Sequence, residues 1–362
     1  MAVGREVSIP TFEEMLFLAY ERKASDLILT VGQPAQLKIH GQMESLEGAK
    51  LTHGDMENLL EALLTEDQRK HFAKAYSVDF SRGYPGVSRF RFHAFRQRGA
   101  AALVARVIPH DIPRLETLGL PAALMKNFAL QPSGLILFTG PTGSGKSTTM
   151  AAIIQHMNAS RSAHVICLED PIEFLHQHAQ CTVEQREIGT DTPSFNAALR
   201  DVFREAPDVV MVGEMRDWET MALTLKLAET GHLVFGTLHT HDAVQTISRI
   251  VHSFPIDSQQ QVYVQLSSVL TGVIAQQLLP RADKRGRIMC CELLVATDAV
   301  RNLIREGQQH QVYSVLQTGR EAGMCTMNEM LLRHVQAGLV QRDVALAYSM
   351  RTEELRRMLT SV

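Results

Sequence analysis

Leu135-Ile136-Leu137-Phe138-Thr139-Gly140-Pro141-Thr142-Gly143-Ser144-Gly145-Lys146-Ser147-Thr148-Thr149 leads directly into Met150-Ala-Ala-Ile-Ile-Gln-His-Met157. A short apolar run, a glycine-rich loop and a helical stretch follow one another, and the loop fits Gly-x-x-x-x-Gly-Lys-Ser. In a strand–loop–helix setting this pattern is a phosphate cradle. The glycines let backbone N–H groups converge on phosphate oxygens, and the helix N-terminus adds partial positive charge. Lys146 reaches the β and γ oxygens, and Ser147 can ligate Mg2+. The expected phosphate-binding residues are Gly140, Pro141, Thr142, Gly143, Ser144, Gly145, Lys146, Ser147 and Thr148.

Outward from this loop, apolar runs recur at 165–168, 209–212 and 233–238, short enough and apolar enough to be strands buried on both faces. Amphipathic helical stretches alternate with them, which predicts a doubly wound α/β core. Between the runs at 165–168 and 209–212, Thr192-Pro193 reads as an N-cap followed by an N1 proline. Phe195, Leu199, Val202 and Phe203 then share one helical face. Upstream, Pro109 and Pro113 mark a boundary, because two prolines so close suit neither a helix interior nor a central strand. Before it the chain reads as a small α+β domain: helix over 12–22, strands over 26–30 and 36–40, one helix over 56–72, and a strand over 87–95. From Asp298 onward short helices are expected, with Gly307 and Gly338 as stops. The expected domains are 1–112, 113–297 and 298–362.

A phosphate loop does not by itself separate a kinase, a GTPase and a motor, so the other polar residues have to. Asp208-Val-Val-Met-Val212-Gly213-Glu214 is an apolar strand ending in a carboxylate, the Walker B arrangement. Strand C-termini of a parallel sheet face the ligand crevice, which puts Glu214 near Mg2+, through a water. The run at 165–168 ends in Glu169-Asp170-Pro171, where Glu169 either orients the attacking water or is part of an ordinary turn. Gly231-His232 and Leu238-His239 place histidines at the two ends of one strand. His239 is on the nucleotide side and can donate to the γ-phosphate; His232 is at the opposite end, and each has a structural alternative. Arg89, Arg91 and His93 alternate with Phe90 and Phe92, and Arg96, Arg98 and Arg106 follow. That cationic face reads as solvated, as arginine fingers for a neighbouring subunit, or as a nucleic-acid surface.

Composition narrows the field. The chain has 362 residues, 45% hydrophobic and 21% charged, with a formal net charge of −3, so it has no polycation character. No apolar run approaches the roughly 18–20 residues needed to span a bilayer, and the start lacks a signal-peptide pattern. Five scattered cysteines without a Cys-x-x-Cys pair exclude a disulfide framework and a zinc ribbon, and suit reduced thiols in the cytosol.

Taken together, these residues resemble the secretion-type ATPases of the RecA-like class, and within them the type IV pilus retraction motors (the PilT/PilU group). The resemblance runs through Ala24-Ser25-Asp26-Leu27, Arg89-Phe90-Arg91, the phosphate loop, Glu169-Asp170-Pro171-Ile172-Glu173-Phe174, Gln185-Arg186-Glu187, Val212-Gly213-Glu214-Met215-Arg216-Asp217, Ala228-Glu229-Thr230-Gly231-His232 and Arg301-Asn302-Leu303-Ile304-Arg305-Glu306. It implies a PAS-like N-terminal domain, a RecA-like ATPase domain and a homohexameric ring using ATP and Mg2+. Glu169 is then the catalytic glutamate, Glu214, His232 and His239 belong to the site, and Arg91 and Arg106 are the candidate fingers. The implied place is cytoplasmic, peripheral to the inner-membrane pilus base. Implied partners are the pilus platform protein and a paralogous retraction ATPase, with no nucleic acid. Ala206 stands where the principal motor usually has an acid, as in the accessory paralogue, whereas Thr237–Thr240 and Arg301–Glu306 resemble the principal motor. An accessory subunit with weak turnover and a RecA-like nucleic-acid translocase are the alternatives. Arg301 and Arg305 lie on the helix side away from Val300, Leu303 and Ile304, as a solvated face or as an output face; Asp298 is the expected N-cap of that helix.

Overall fold

Thr11, Thr52 and Thr65 each open a helix near the N-terminus with a capping box, the hydroxyl accepting from the third helical N–H while that residue's side chain accepts from the threonine N–H. The helices are α1 (Phe12–Glu21), α2 (His53–Leu63) and α3 (Glu66–Ala75). The computed structural model describes residues 10–109 and 111–360. The chain divides into two compact units, Met1–His110 and Asp111–Val362. The single helix expected over 56–72 is two helices. Leu64 leaves helical geometry, and Thr65 with Gln68 restarts the next helix, supplying partners to N–H groups that a continuous helix would have bonded internally.

In the first unit, β1 (Asp26–Thr30), β2 (Gln36–Ile39), β3 (Gln42–Ser45), β4 (Ser77–Tyr84), β5 (Ser88–Gln97) and β6 (Ala100–Val107) form one antiparallel sheet in the order β3-β2-β1-β6-β5-β4. Phe90 and Phe92 are fully buried on one face, stacked among Phe12, Phe80 and Tyr84. Arg91 and His93 are exposed on the other face, as the period-2 pattern predicts.

The second unit runs α4 (Ala122–Ala129), β7 (Gly134–Thr139), α5 (Lys146–Ser160), β8 (His164–Glu169), β9 (Thr182–Glu187), α6 (Phe195–Val202), β10 (Val209–Val212), α7 (Trp218–Glu229), β11 (Leu233–Leu238), α8 (Ala243–His252), α9 (Ile256–Val269), β12 (Leu270–Pro280) and β13 (Arg287–Val295). Five short helices close it: α10 (Asp298–Arg305), α11 (Val312–Thr318), α12 (Met327–Gln336), α13 (Arg342–Tyr348) and α14 (Thr352–Thr360). The sheet order is β13-β12-β7-β11-β10-β8-β9, parallel throughout except for the β12–β13 edge. Successive β7 side chains go to opposite faces. Ile136 and Phe138 pack with α4, α5 and α12, whereas Leu135 and Leu137 pack with α6 to α11. Both faces are therefore covered, which is why these strands read as unbroken apolar runs.

Three expectations need correction. Helix α6 starts at Phe195 with Ser194 as its cap, Ser194 Oγ accepting from Ala197 N at 3.1 Å. Thr192 cannot cap it, because its carbonyl accepts from Gly189 N and its hydroxyl faces Ser194 O. Helix α10 is capped by Thr297, and Asp298 is its first residue. Arg301 is not on a free face. Its Nη1 donates to Ser267 O and Ser268 O, both at 2.8 Å, and its Nε to Ala296 O at 3.1 Å, docking α10 on the C-terminal turn of α9. Arg305 is exposed. Gly307 and Gly338 stop α10 and α12 as expected, with φ of 68° and 67°.

Candidate functional site

The phosphate loop joins β7 to α5, so the N-terminus of a 15-residue helix points along the C-terminal edge of the sheet. Gly140 has φ 137°, and a Cβ there would lie 2.2 Å from Gln276 O of β12 and 2.7 Å from Ser144 Oγ. Gly145 caps α5 with φ 93°. At Gly140 a side chain would collide with backbone, and at Gly145 it would be strained by the left-handed φ. Lys146 Nζ donates to Gly140 O at 2.6 Å and Pro141 O at 3.1 Å. Burial lowers the ammonium pKa, while Glu214 and Glu173 raise it. Behind the loop, Gln276 Nε2 donates to Thr149 Oγ1 at 2.8 Å, tying β12 to the first turns of α5.

Each strand next to β7 on the β11 side brings a polar group to the same edge. Glu169 ends β8 and is 8% exposed. Burial pushes its carboxyl up to about 7, against hydrogen bonds from Gln185 and the Glu173 backbone N–H, while the charges of Glu173 and Glu187 add to the rise. Glu214 follows β10 and lies 2.8 Å from Arg216 and 3.0 Å from His239 Nε2. Partial burial alone would raise its carboxyl, but Arg216 and His239 hold it below the usual value. Backbone bonds hold these ends together: Gly213 N donates to Leu168 O at 2.8 Å and Met215 N to Thr237 O at 3.0 Å, and the Thr237 hydroxyl donates to Gly213 O.

The fold thus gathers the phosphate loop, Glu169, Glu214 and His239 at one edge. It does not bring His232 there. His232 precedes β11 at the opposite end, with Nδ1 3.0 Å from Leu227 O and its carbonyl accepting from Gly134 N. A strand of six residues separates the two histidines by about 20 Å.

Arg91 and Arg106 belong to the first unit, where they are cross-strand partners on β5 and β6. Arg106 Nε lies 3.0 Å from Asp26 Oδ1, and Arg91 is exposed. His93 pairs with Asp79 at 3.1 Å, so Arg106 and His93 on this face carry their own carboxylates, whereas Arg96 falls on the opposite side of β5, paired with Glu57 at 3.0 Å and set over the Phe72 ring. Sequence reading missed three groups: Gln276, where the Gln276-Gln277 pair inside a largely apolar strand was the available signal, Arg216, and the contacts of Gln185.

A glycine-rich loop between a central parallel strand and a helix, with carboxylates on the neighbouring strand ends, defines a P-loop nucleoside-triphosphatase of the RecA-like α/β class. The family model described as "Type II/IV secretion system protein" matches residues 88–357, and the chain belongs to that family. It is 40% identical over 348 residues to the type IV pilus ATPase PilU of Pseudomonas aeruginosa, covering 96% of this chain and 91% of that protein. It is 43% identical over 332 residues to the type IV pilus retraction ATPase PilT of the same organism, covering 92% of this chain and 96% of that one. It is similar also to the crystal structure of the pilus retraction motor PilT with bound ADP, with a TM-score of 0.87 and 44% identity, over 96% of this chain and 100% of that chain. Among the described residues no helix is long and apolar enough to cross a membrane.

Proposed function

We propose that the chain is an ATP-hydrolysing motor subunit that drives type IV pilus retraction. One observation carries the reading: similarity to retraction ATPases over more than nine-tenths of the chain coincides with a phosphate loop, a buried carboxylate and a cation-paired carboxylate on one sheet edge. In this reading the loop N–H groups and Lys146 hold the β- and γ-phosphates of ATP. Ser147 and Glu214 would hold Mg2+, since hydroxyl and carboxylate oxygens are the donor set of a hard divalent cation. The bound ion would neutralise charge on the β and γ oxygens. Glu169 takes the proton of the attacking water as its oxygen bonds to the γ-phosphorus and the bond to the β–γ bridging oxygen breaks. A carboxyl near 7 is matched to accepting a proton at neutral pH. His239, held against Glu214 at 3.0 Å, is the candidate donor to the γ-phosphate.

The working assembly in this reading is a homohexameric ring at the cytoplasmic side of the inner-membrane pilus base, acting on the platform protein. In this reading the first unit is the PAS-like domain, and within the second unit residues 113–297 are the ATPase core and the helices from Asp298 onward its helical segment. Arg91 and Arg106 act across subunits as charge-stabilising cations. Arg91→Ala rings that regain turnover on mixing with Lys146→Ala subunits support that role, and no recovery at any ratio removes it. The alternative is an accessory role beside a paralogous ATPase, for which Ala206 speaks and against which Thr237–Thr240 and Arg301–Glu306 speak. ATP turnover by the purified chain, alone and with the paralogue, tests both readings. Robust turnover alone marks a primary motor, turnover only with the paralogue marks the accessory, and none in either case refutes the motor reading.

A further inference from the structure

Edge strand β9 presents alternate residues to the segment that leaves Glu169. Gln185 Nε2 donates to Glu169 Oε1 and to Phe174 O, each at 2.8 Å, and Gln185 Oε1 accepts from His176 N at 2.9 Å. Two places on, Glu187 Oε2 accepts from Ile172 N at 3.2 Å. The strand thus grips the segment at 172, 174 and 176. The amide can take only one orientation: the Glu169 carboxylate and the Phe174 carbonyl both need donors, and the His176 N–H needs an acceptor. Both amide hydrogens are used. A glutamate there supplies no donor, and an asparagine is one methylene shorter.

We propose that Gln185 is a positioning residue for Glu169, fixing the direction of its carboxylate and fastening it to the 170–176 segment. The inference rests on Glu169 being the base. The carboxylate sits deep among its neighbours, with the charges of Glu173 and Glu187 acting on it and the Cys167 thiol on its own strand. A donated hydrogen bond favours its ionised form over the protonated one. Gln185 therefore affects both the aim of the base and the fraction of it that is ionised.

The test compares wild type, Gln185→Ala, Gln185→Glu, Glu169→Gln and the double variant Glu169→Gln with Gln185→Ala, all in the full chain. It measures kcat and KM for ATP against pH, single-turnover hydrolysis for slow variants, and the thermal midpoint. Gln185→Ala should lose roughly 10- to 100-fold in kcat with KM within about threefold, because the group acts through the base and not on ATP. Its acid limb should move up by about one pH unit. In the Glu169→Gln background the same substitution should cost less than about threefold, the non-additivity of coupled groups. If Gln185→Ala fails to fold, Gln185→Glu keeps the acceptor for His176 and should lose kcat and shift the limb in the same direction. Unchanged kcat and acid limb in the folded Gln185 variants, or a full additive loss in the Glu169→Gln background, overturns the inference while leaving Glu169 as base. Wild-type turnover in Glu169→Gln removes the base assignment, and this inference with it.

Discussion

Arg301→Ala should destabilise the ATPase unit, whereas Arg305→Ala, four residues on in the same helix, should not. The Arg301 guanidinium donates to three carbonyls, two of them in the last turn of α9, where helix carbonyls lack internal partners. The positive charge also suits the C-terminal end of a helix dipole. Hydrogen bonds from a charged donor contribute about 1.5–3 kcal/mol each; Arg301 is partly exposed, and discounting each of the three to about 0.5–1 kcal/mol gives a loss of about 1.5–3 kcal/mol. For a unit of this size that is a fall of about 5–10 °C in the thermal midpoint. Arg305 is exposed, so its truncation should stay within about 0.5 kcal/mol, or about 2 °C. Thermal unfolding of the three proteins, followed by circular dichroism at one concentration, makes the comparison. Midpoints within about 2 °C for both variants would refute the docking argument. The result also decides how a retraction defect is read: with a lowered midpoint it is a folding defect, and with an unchanged one at Arg305 it is a lost output contact.

Lys146→Ala should keep the fold and lose about 10²–10³ in ATP turnover, one electrostatic contact to the transferring phosphoryl group; wild-type turnover in a folded variant would remove the phosphate-site assignment. Gly140→Ala places a Cβ 2.2 Å from the Gln276 carbonyl, so low soluble yield or a loss of at least about 3 kcal/mol is expected in chemical denaturation. The pH profile of kcat/KM should have an acid limb near pH 7, because Glu169 accepts a proton only when ionised and its carboxyl is pushed up to about 7 in the free chain. The sign is fixed: activity rises as pH increases through that value and falls below it. The limb should vanish in Glu169→Gln, measured in single turnover.

Much of the site was legible because its signals are local. The phosphate loop lies in one stretch of sequence, and Glu169, Glu214 and His239 each follow an apolar run that a parallel sheet must orient toward one edge. What escaped depends on contacts distant in sequence. Strand β9 has Val183 as its only aliphatic residue, since an edge strand needs few apolar residues, and its place comes from pairing with β8. The spacing of Arg301 and Arg305 puts them on one side of α10 but does not reveal that α9 ends beside only one of them. The pairing of His239 with Glu214 joins residues 25 apart. The break between α2 and α3 is different, because Thr65-Glu66-Asp67-Gln68 carries the Thr-x-x-Gln capping box in the sequence itself. There an apolar period running across the cap masked a local signal.

The motor reading is tested most directly by live imaging of labelled pili in a host whose own retraction ATPases are deleted, supplied with this chain or with its Glu169→Gln form at matched abundance. The account predicts that the native chain restores retraction, while Glu169→Gln leaves cells covered in extended pili although it still binds ATP. Normal retraction driven by Glu169→Gln, or no retraction driven by the native chain, would contradict it.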